Sequence, residues 1–120
     1  MKDFISYELA KKLENKGFYC DNNYGYNDKG DICVPVYNID EDQLMTVTPC
    51  PEIHEVLKWL REVKRIDAGA VFDNRDGKWI GYINEMDMPD LVGEYVLPNT
   101  YNTYEEAVIA GIEYVIYNLI

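Results

Sequence analysis

Residues 67–83, DAGAVF-DNRDG-KWIGYI, constrain the fold of this chain more than any other stretch. Two apolar, strand-forming runs flank five residues rich in turn formers. Asn74, Asp76 and Gly77 supply the backbone angles that reverse a chain within a few residues, so the stretch predicts a β-hairpin. A hairpin is an antiparallel pair, and a sheet built from hairpins is expected to carry helices as its cover.

Three segments have helical spacing. In the first, from about Asp3 to Lys16, Ile5, Leu9 and Leu13 recur four apart, with Lys11, Lys12 and Glu14 on the other side. Gly17 then stands where a left-handed residue closes a helix, and Phe18 falls opposite Leu13, as a Schellman cap requires. The second segment is PEIHEVLKWLREVKRI. Thr48 or Cys50 is the expected N-cap region, Pro51 takes a first-turn position, and Ile53, Val56, Leu57, Leu60 and Val63 form one apolar stripe. The third begins at Thr103, whose hydroxyl and the Glu106 carboxylate form a capping box. Ala107, Val108, Gly111, Ile112, Val115 and Leu119 give its inner stripe.

Ile109, Ile116 and Ile120 add a second stripe, so the apolar arc of the last helix exceeds one core face. Either this helix is central, flanked on both sides, or it carries a homodimer contact; the central position is the expectation. Residues 18–48 read as short strands and turns. FYC and YGY surround CDNNYG, YNDKGD is a second turn, and ICVPVY is a strand that Pro35 confines to an edge or a bulge. NIDEDQ turns into the alternating strand LMTVT. After the hairpin, NEMDMPDLVG reads as a loop and EYVL as one more short strand. The expected fold is one α+β domain over residues 1–120, with three helices and an antiparallel sheet built from hairpins. Its element order is α-β-β-(β)-α-β-β-(β)-α.

Composition decides which classes remain. With 48% hydrophobic residues, 120 residues can bury a core without staples. Three cysteines, an odd number with no C-x-x-C pair, argue against a disulfide framework and for a reducing, cytoplasmic setting. There is neither a signal-peptide apolar region nor an apolar run long enough to span a membrane. A net charge of −11 opposes a phosphate backbone, so no direct nucleic-acid binding is expected. The acidity serves solubility or, alternatively, imitates nucleic acid toward a basic partner.

Cys50, His54 and Glu55 are the one gathering of reactive groups. A zincin helix needs a second histidine four residues after the first, and Lys58 stands there. No nucleophile signature surrounds Cys50. Calcium loops fail too, because Arg75 and Gly25 occupy positions that require oxygen ligands. Phosphate loops, Ser–His–Asp orders and dinucleotide fingerprints are absent from the sequence. We therefore expect no catalytic, cofactor or metal residues, and not an enzyme. His54, Lys58, Arg61 and Arg65 share one flank of the second helix and, with Ile109, Ile116 and Ile120, make the expected contact surface for a protein partner. The eleven tyrosines suit half-buried sheet positions and interfaces alike.

The segments ELAKKLENKGF, PEIHEVLKWLREVKRI, the Trp-containing hairpin and TYEEAVIAGIEYVIYNLI together resemble a group of small uncharacterised proteins of prophages and mobile elements in anaerobic gut bacteria. That resemblance spans nearly the whole chain and implies a cytoplasmic α+β domain with an accessory role. It brings no site residues. GKWIGYINEMDMPDLVG followed by TYEEAVIAGIEYVI is also similar to the hairpin, Pro-Asp-Leu turn and Glu-Glu-Ala helix of HicB-type antitoxins, over the last third to half of the chain. The expected function is a non-enzymatic accessory or protein-binding domain, the alternative an acidic antitoxin or nucleic-acid mimic.

Overall fold

The computed structural model describes residues 4–18, 25–27, 29–33, 48–87 and 94–120. Its elements are α1 (Tyr7–Asn15), β1 (Gly25–Tyr26), β2 (Ile32–Cys33), β3 (Thr48–Pro49), α2 (Ile53–Trp59), β4 (Ile66–Asp73), β5 (Lys78–Glu85), β6 (Glu94–Tyr101) and α3 (Tyr104–Asn118). Both sheets are antiparallel, in the orders β2-β1-β3 and β4-β5-β6, so the fold is α+β. The chain divides into two compact units, Met1–Glu55 and Val56–Ile120.

In the first unit, α1 starts at Tyr7 rather than near Asp3, because Ser6 caps it by accepting the Leu9 N–H. Ile5 is buried outside the helix, its N–H donated to the Pro51 carbonyl at 3.0 Å. The far end follows the expected Schellman geometry. Gly17, at φ +92°, donates to the Glu14 carbonyl and Phe18 donates to that of Leu13, with Phe18 and Leu13 both buried. At the YNDKGD turn, the Asn27 side chain accepts the N–H groups of Lys29 and Asp31, and Gly30 has φ +85°. The expected strands survive only as two-residue pieces among the described residues. NIDEDQ, most of ICVPVY and LMTVT, and the end of FYC lie outside them.

The second helix departs from expectation at both ends. Thr48 pairs with Tyr26 across β3 and β1, so it cannot cap, and α2 begins at Ile53. Glu55 reaches back to accept the Glu52 N–H at 3.0 Å, closing the start. At the other end the helix widens to a π-helix over Leu60–Lys64, terminated by Arg65 in the left-handed region at φ 60°. That widening moves later residues out of the 3.6-residue phase. Val63, expected in the apolar stripe, is consequently 59% exposed, while Val56, Leu57 and Leu60 are buried.

In the second unit the hairpin forms in full: β4 and β5 pair one-for-one from Ile66↔Glu85 to Asp73↔Lys78. Gly77, at φ +65°, and the Asp73 carboxylate, which accepts the Arg75 N–H, shape the turn. β6 is longer than EYVL and runs through Pro98, where a register shift against β5 accommodates the missing N–H. Thr103 caps α3 by accepting the Glu106 N–H at 3.1 Å. Ala107, Val108, Gly111, Ile112, Val115 and Ile116 are buried on α3. Of the second isoleucine stripe, Ile116 joins that core, whereas Ile109 and Ile120 are half-buried. The NEMDMPDLVG loop lies mostly outside the described residues.

Candidate functional site

Burial separates the three reactive groups of the second helical segment. Cys50 is fully buried, in a cluster with Ala10 and Tyr26 against which Phe4 and Tyr7 pack. Burial pushes the thiol pKa up; a hydrogen bond with the Tyr26 hydroxyl opposes this and the Glu55 charge adds to it. The Tyr26 hydroxyl donates to the Ile5 carbonyl, and its own pKa is raised by burial and by its contact with Cys50. A neutral thiol locked in a core is a poor nucleophile and a poor ligand.

His54 points the other way, with its side chain 76% exposed and Nε2 3.5 Å from a Glu52 carboxylate oxygen. Glu52, His54 and Glu55 bring one ligand-capable atom each within 4.8 Å of one another. Of the three, the Glu55 carboxylate is used by the helix start, where it accepts the Glu52 N–H and, as an acid in the first turn, complements the helix dipole. The same dipole opposes a cation there.

The basic flank is not continuous. Lys58 and Arg61 are exposed, but the π-helix carries Arg65 out of line, and its Nε meets Asp87 Oδ1 at 3.4 Å. Arg65 instead joins Ile120 at a cleft of about 210 Å³. Lys64 and Arg65 face Glu85 and Asp87 there, over Ile66, Leu119 and Ile120. The cleft is smaller than most ligand pockets, which run from roughly 300 Å³ upward, and its two cations balance its two anions.

A larger surface lies on the sheet of the second unit. Residues paired across strands share a face, and faces alternate along each strand. Phe72, Trp79, Gly81, Ile83 and Tyr95 face α3. Trp79 packs edge-on against Phe72 and Tyr104, Tyr95 stacks on Tyr114 at 4.8 Å, and the Ala107 carbonyl leaves no room for a side chain at Gly81. The opposite face carries Val71 and Ile80 in one row and Tyr82 and Val96 in the next. Val71 is 53% and Val96 63% exposed. The Tyr82 ring lies over Gly69, where an added Cβ would come within 2.6 Å of its hydroxyl. Burial raises the Tyr82 pKa, assisted by Asp67 and Tyr104 and opposed by Arg61, so the hydroxyl stays a neutral donor. Asp67 and Asn84 border this apolar centre on one side, Asp73 and Lys78 on the other.

Tyr82 is among the tyrosines expected at half-buried sheet positions or interfaces, but residue chemistry does not single out Val71, Ile80 or Val96 in the sequence. The available signal was WIGYI in β5, which does not alternate with polar residues. An antiparallel strand with one wet face alternates; a continuous apolar run belongs to a strand covered on both sides. Neither a protein-family model, nor a curated protein, nor a solved structure matches this chain.

Proposed function

We propose that this chain is a non-enzymatic protein-binding domain, and that the face of β4-β5-β6 opposite α3 is its contact surface. The observation that supports this is an antiparallel sheet apolar on both faces, with α3 on one and exposed Val71 and Val96 on the other. An apolar centre with a polar border is the anatomy of a protein contact. Tyr82 suits such a centre, offering a large ring and one hydroxyl.

A photo-crosslinking amino acid at position 96 tests the reading, with position 113 on the exposed side of α3 as control. The expected result in an extract of the native host is a crosslinked protein of defined mass at 96, absent at 113 and lost with Ile80→Lys. Equal labelling at both positions would overturn the assignment.

A further inference from the structure

The two edges of the β4-β5-β6 sheet differ in a way that selects one of them for pairing. An edge strand presents unpaired N–H and C=O groups that template another strand, and proteins usually blunt such edges with proline, bulges or charge. β6 is blunted. Ile80 pairs with Thr100 and Tyr82 with Val96, so Leu97, Pro98 and Asn99 all stand against Gly81. This bulge bends the edge, and Pro98 has no N–H to offer.

β4 has neither proline nor bulge, and its only charges are Asp67 and Asp73. All eight residues pair with β5 in unbroken register, and the strand contains neither proline nor lysine nor arginine. Its backbone hydrogen bonds run to β5 and, from the Asp73 carbonyl, to Gly77; among the described residues nothing occupies its other edge. Val71 and Phe72 lie on this strand, 53% and 49% exposed.

The geometry points to a second copy of this chain as the occupant, added antiparallel along β4 about a two-fold axis through Val71. The inference deepens the protein-binding reading but rests on the strand edge rather than the open face, so either can fail alone. Charge selects the register. A two-fold normal to the sheet pairs residues that share a face. Centring it on Ala70 sets Asp67 against the second copy's Asp73, which is repulsive. Centring it on Phe72 sets Asp73 against the second copy's Val71. Centred on Val71, it places Val71 on its symmetry mate and Phe72 against the smaller Ala70. It also brings Asp67 toward Arg75, an exposed side chain whose Nε lies 3.3 Å from its own chain's Asp73. The product is one six-stranded antiparallel sheet with an α3 from each copy on the same side. The two open faces join into one surface of double area.

Two copies of charge −11 repel, and salt shortens that repulsion from about 8 Å at physiological strength to about 3 Å at molar strength. Sedimentation equilibrium from micromolar to millimolar protein should therefore show a monomer–dimer equilibrium that strengthens with salt. Val71→Asp places two carboxylates on the axis and should weaken association at least tenfold with an unchanged circular dichroism spectrum. Val96→Glu, on the open face, should leave it unchanged. Val71→Cys keeps the test intact if the aspartate disturbs the strand. Opposed residues of an antiparallel pair sit about 4.5–5.5 Å apart at Cα, within disulfide range, so mild oxidation should yield a dimer whose 71–71 peptide is identified by mass spectrometry. A monomer at all concentrations with no 71–71 disulfide would overturn the inference. So would a dimer that Val71→Asp does not weaken.

Discussion

The unit Met1–Glu55 and the unit Val56–Ile120 reach order by different means. In the second, strands of eight residues and a helix of fifteen bury continuous apolar rows, and register follows from alternation. In the first, the strand pieces among the described residues are two residues long, too short by themselves to specify register by alternation. There, single bonds do the holding: Tyr26 to Ile5, Ile5 to Pro51, Ser6 to Leu9, and the cap at Gly17 and Phe18. Regular burial spreads stability over many residues, whereas a few specific bonds concentrate it. A concentrated design is more sensitive to one lost hydroxyl than its size suggests.

Substitutions can break this contrast. Ile112→Ala removes a fully buried side chain beneath the sheet and should cost about 2–5 kcal/mol, read by chemical denaturation. Its effect should appear throughout the amides of β4, β5 and β6 in hydrogen exchange. An effect restricted to α3 would show that this unit does not share its stability as supposed.

Tyr26→Phe keeps the ring and deletes the hydroxyl. It strands the Ile5 carbonyl in the core and should cost about 1–3 kcal/mol. Exchange should accelerate in residues 5–18 and 48–52; equal acceleration in β4-β5-β6 would erase the distinction between the units. The same site gives a pH signature. Tyr26 and Cys50 both have folded pKa values above their unfolded ones, so the folded state holds its protons longer. Stability is therefore intact at neutral pH and falls as pH rises past the ordinary thiol and phenol values, about 8.5 and 10. Melting curves across that range should show wild type losing more than Tyr26→Phe.

Two glycines sharpen the comparison from inside the regular unit. At Gly81 a Cβ would meet the Ala107 backbone carbonyl at 2.8 Å and Leu97 at 2.7 Å, so Gly81→Ala should destabilise by about 1–3 kcal/mol through overpacking. At Gly111 the nearest atoms are 3.8 Å away, an ordinary contact. Gly111→Ala should stabilise α3 by about 0.5–1 kcal/mol, since alanine loses less backbone entropy in a helix. Opposite shifts in melting temperature are expected; shifts of one sign would mean that β5 and α3 are not packed as closely as the Gly81 contacts require.

Much of the fold was legible because its signals are local. DNRDG between two apolar runs specifies the hairpin, Gly17 and Phe18 specify a helix end, and Thr103 with Glu106 specifies a helix start, each within a few neighbouring residues. The misreadings share a different cause. Thr48 has good cap chemistry but is taken by Tyr26, twenty-two residues away, for strand pairing. Val63 obeys the helical period, yet a π-helix shifts the phase before it is reached. EYVL was cut short at Pro98 because the bulge that admits a proline is a property of the pair β5-β6. The proposed binding surface was hidden for the same reason. Val71 and Val96 are unremarkable residues until the pairing of three strands sets them on one face.

Local backbone chemistry thus determined where this chain turns, where two of its helices end or begin, and that its longest strands pair antiparallel. Tertiary structure alone decided which strands pair with which, which sheet face α3 covers, and that Cys50 and His54, four residues apart, differ completely in exposure. Those outcomes depend on what comes to lie beside a residue from far along the chain. No period or cap within a short window encodes that neighbour.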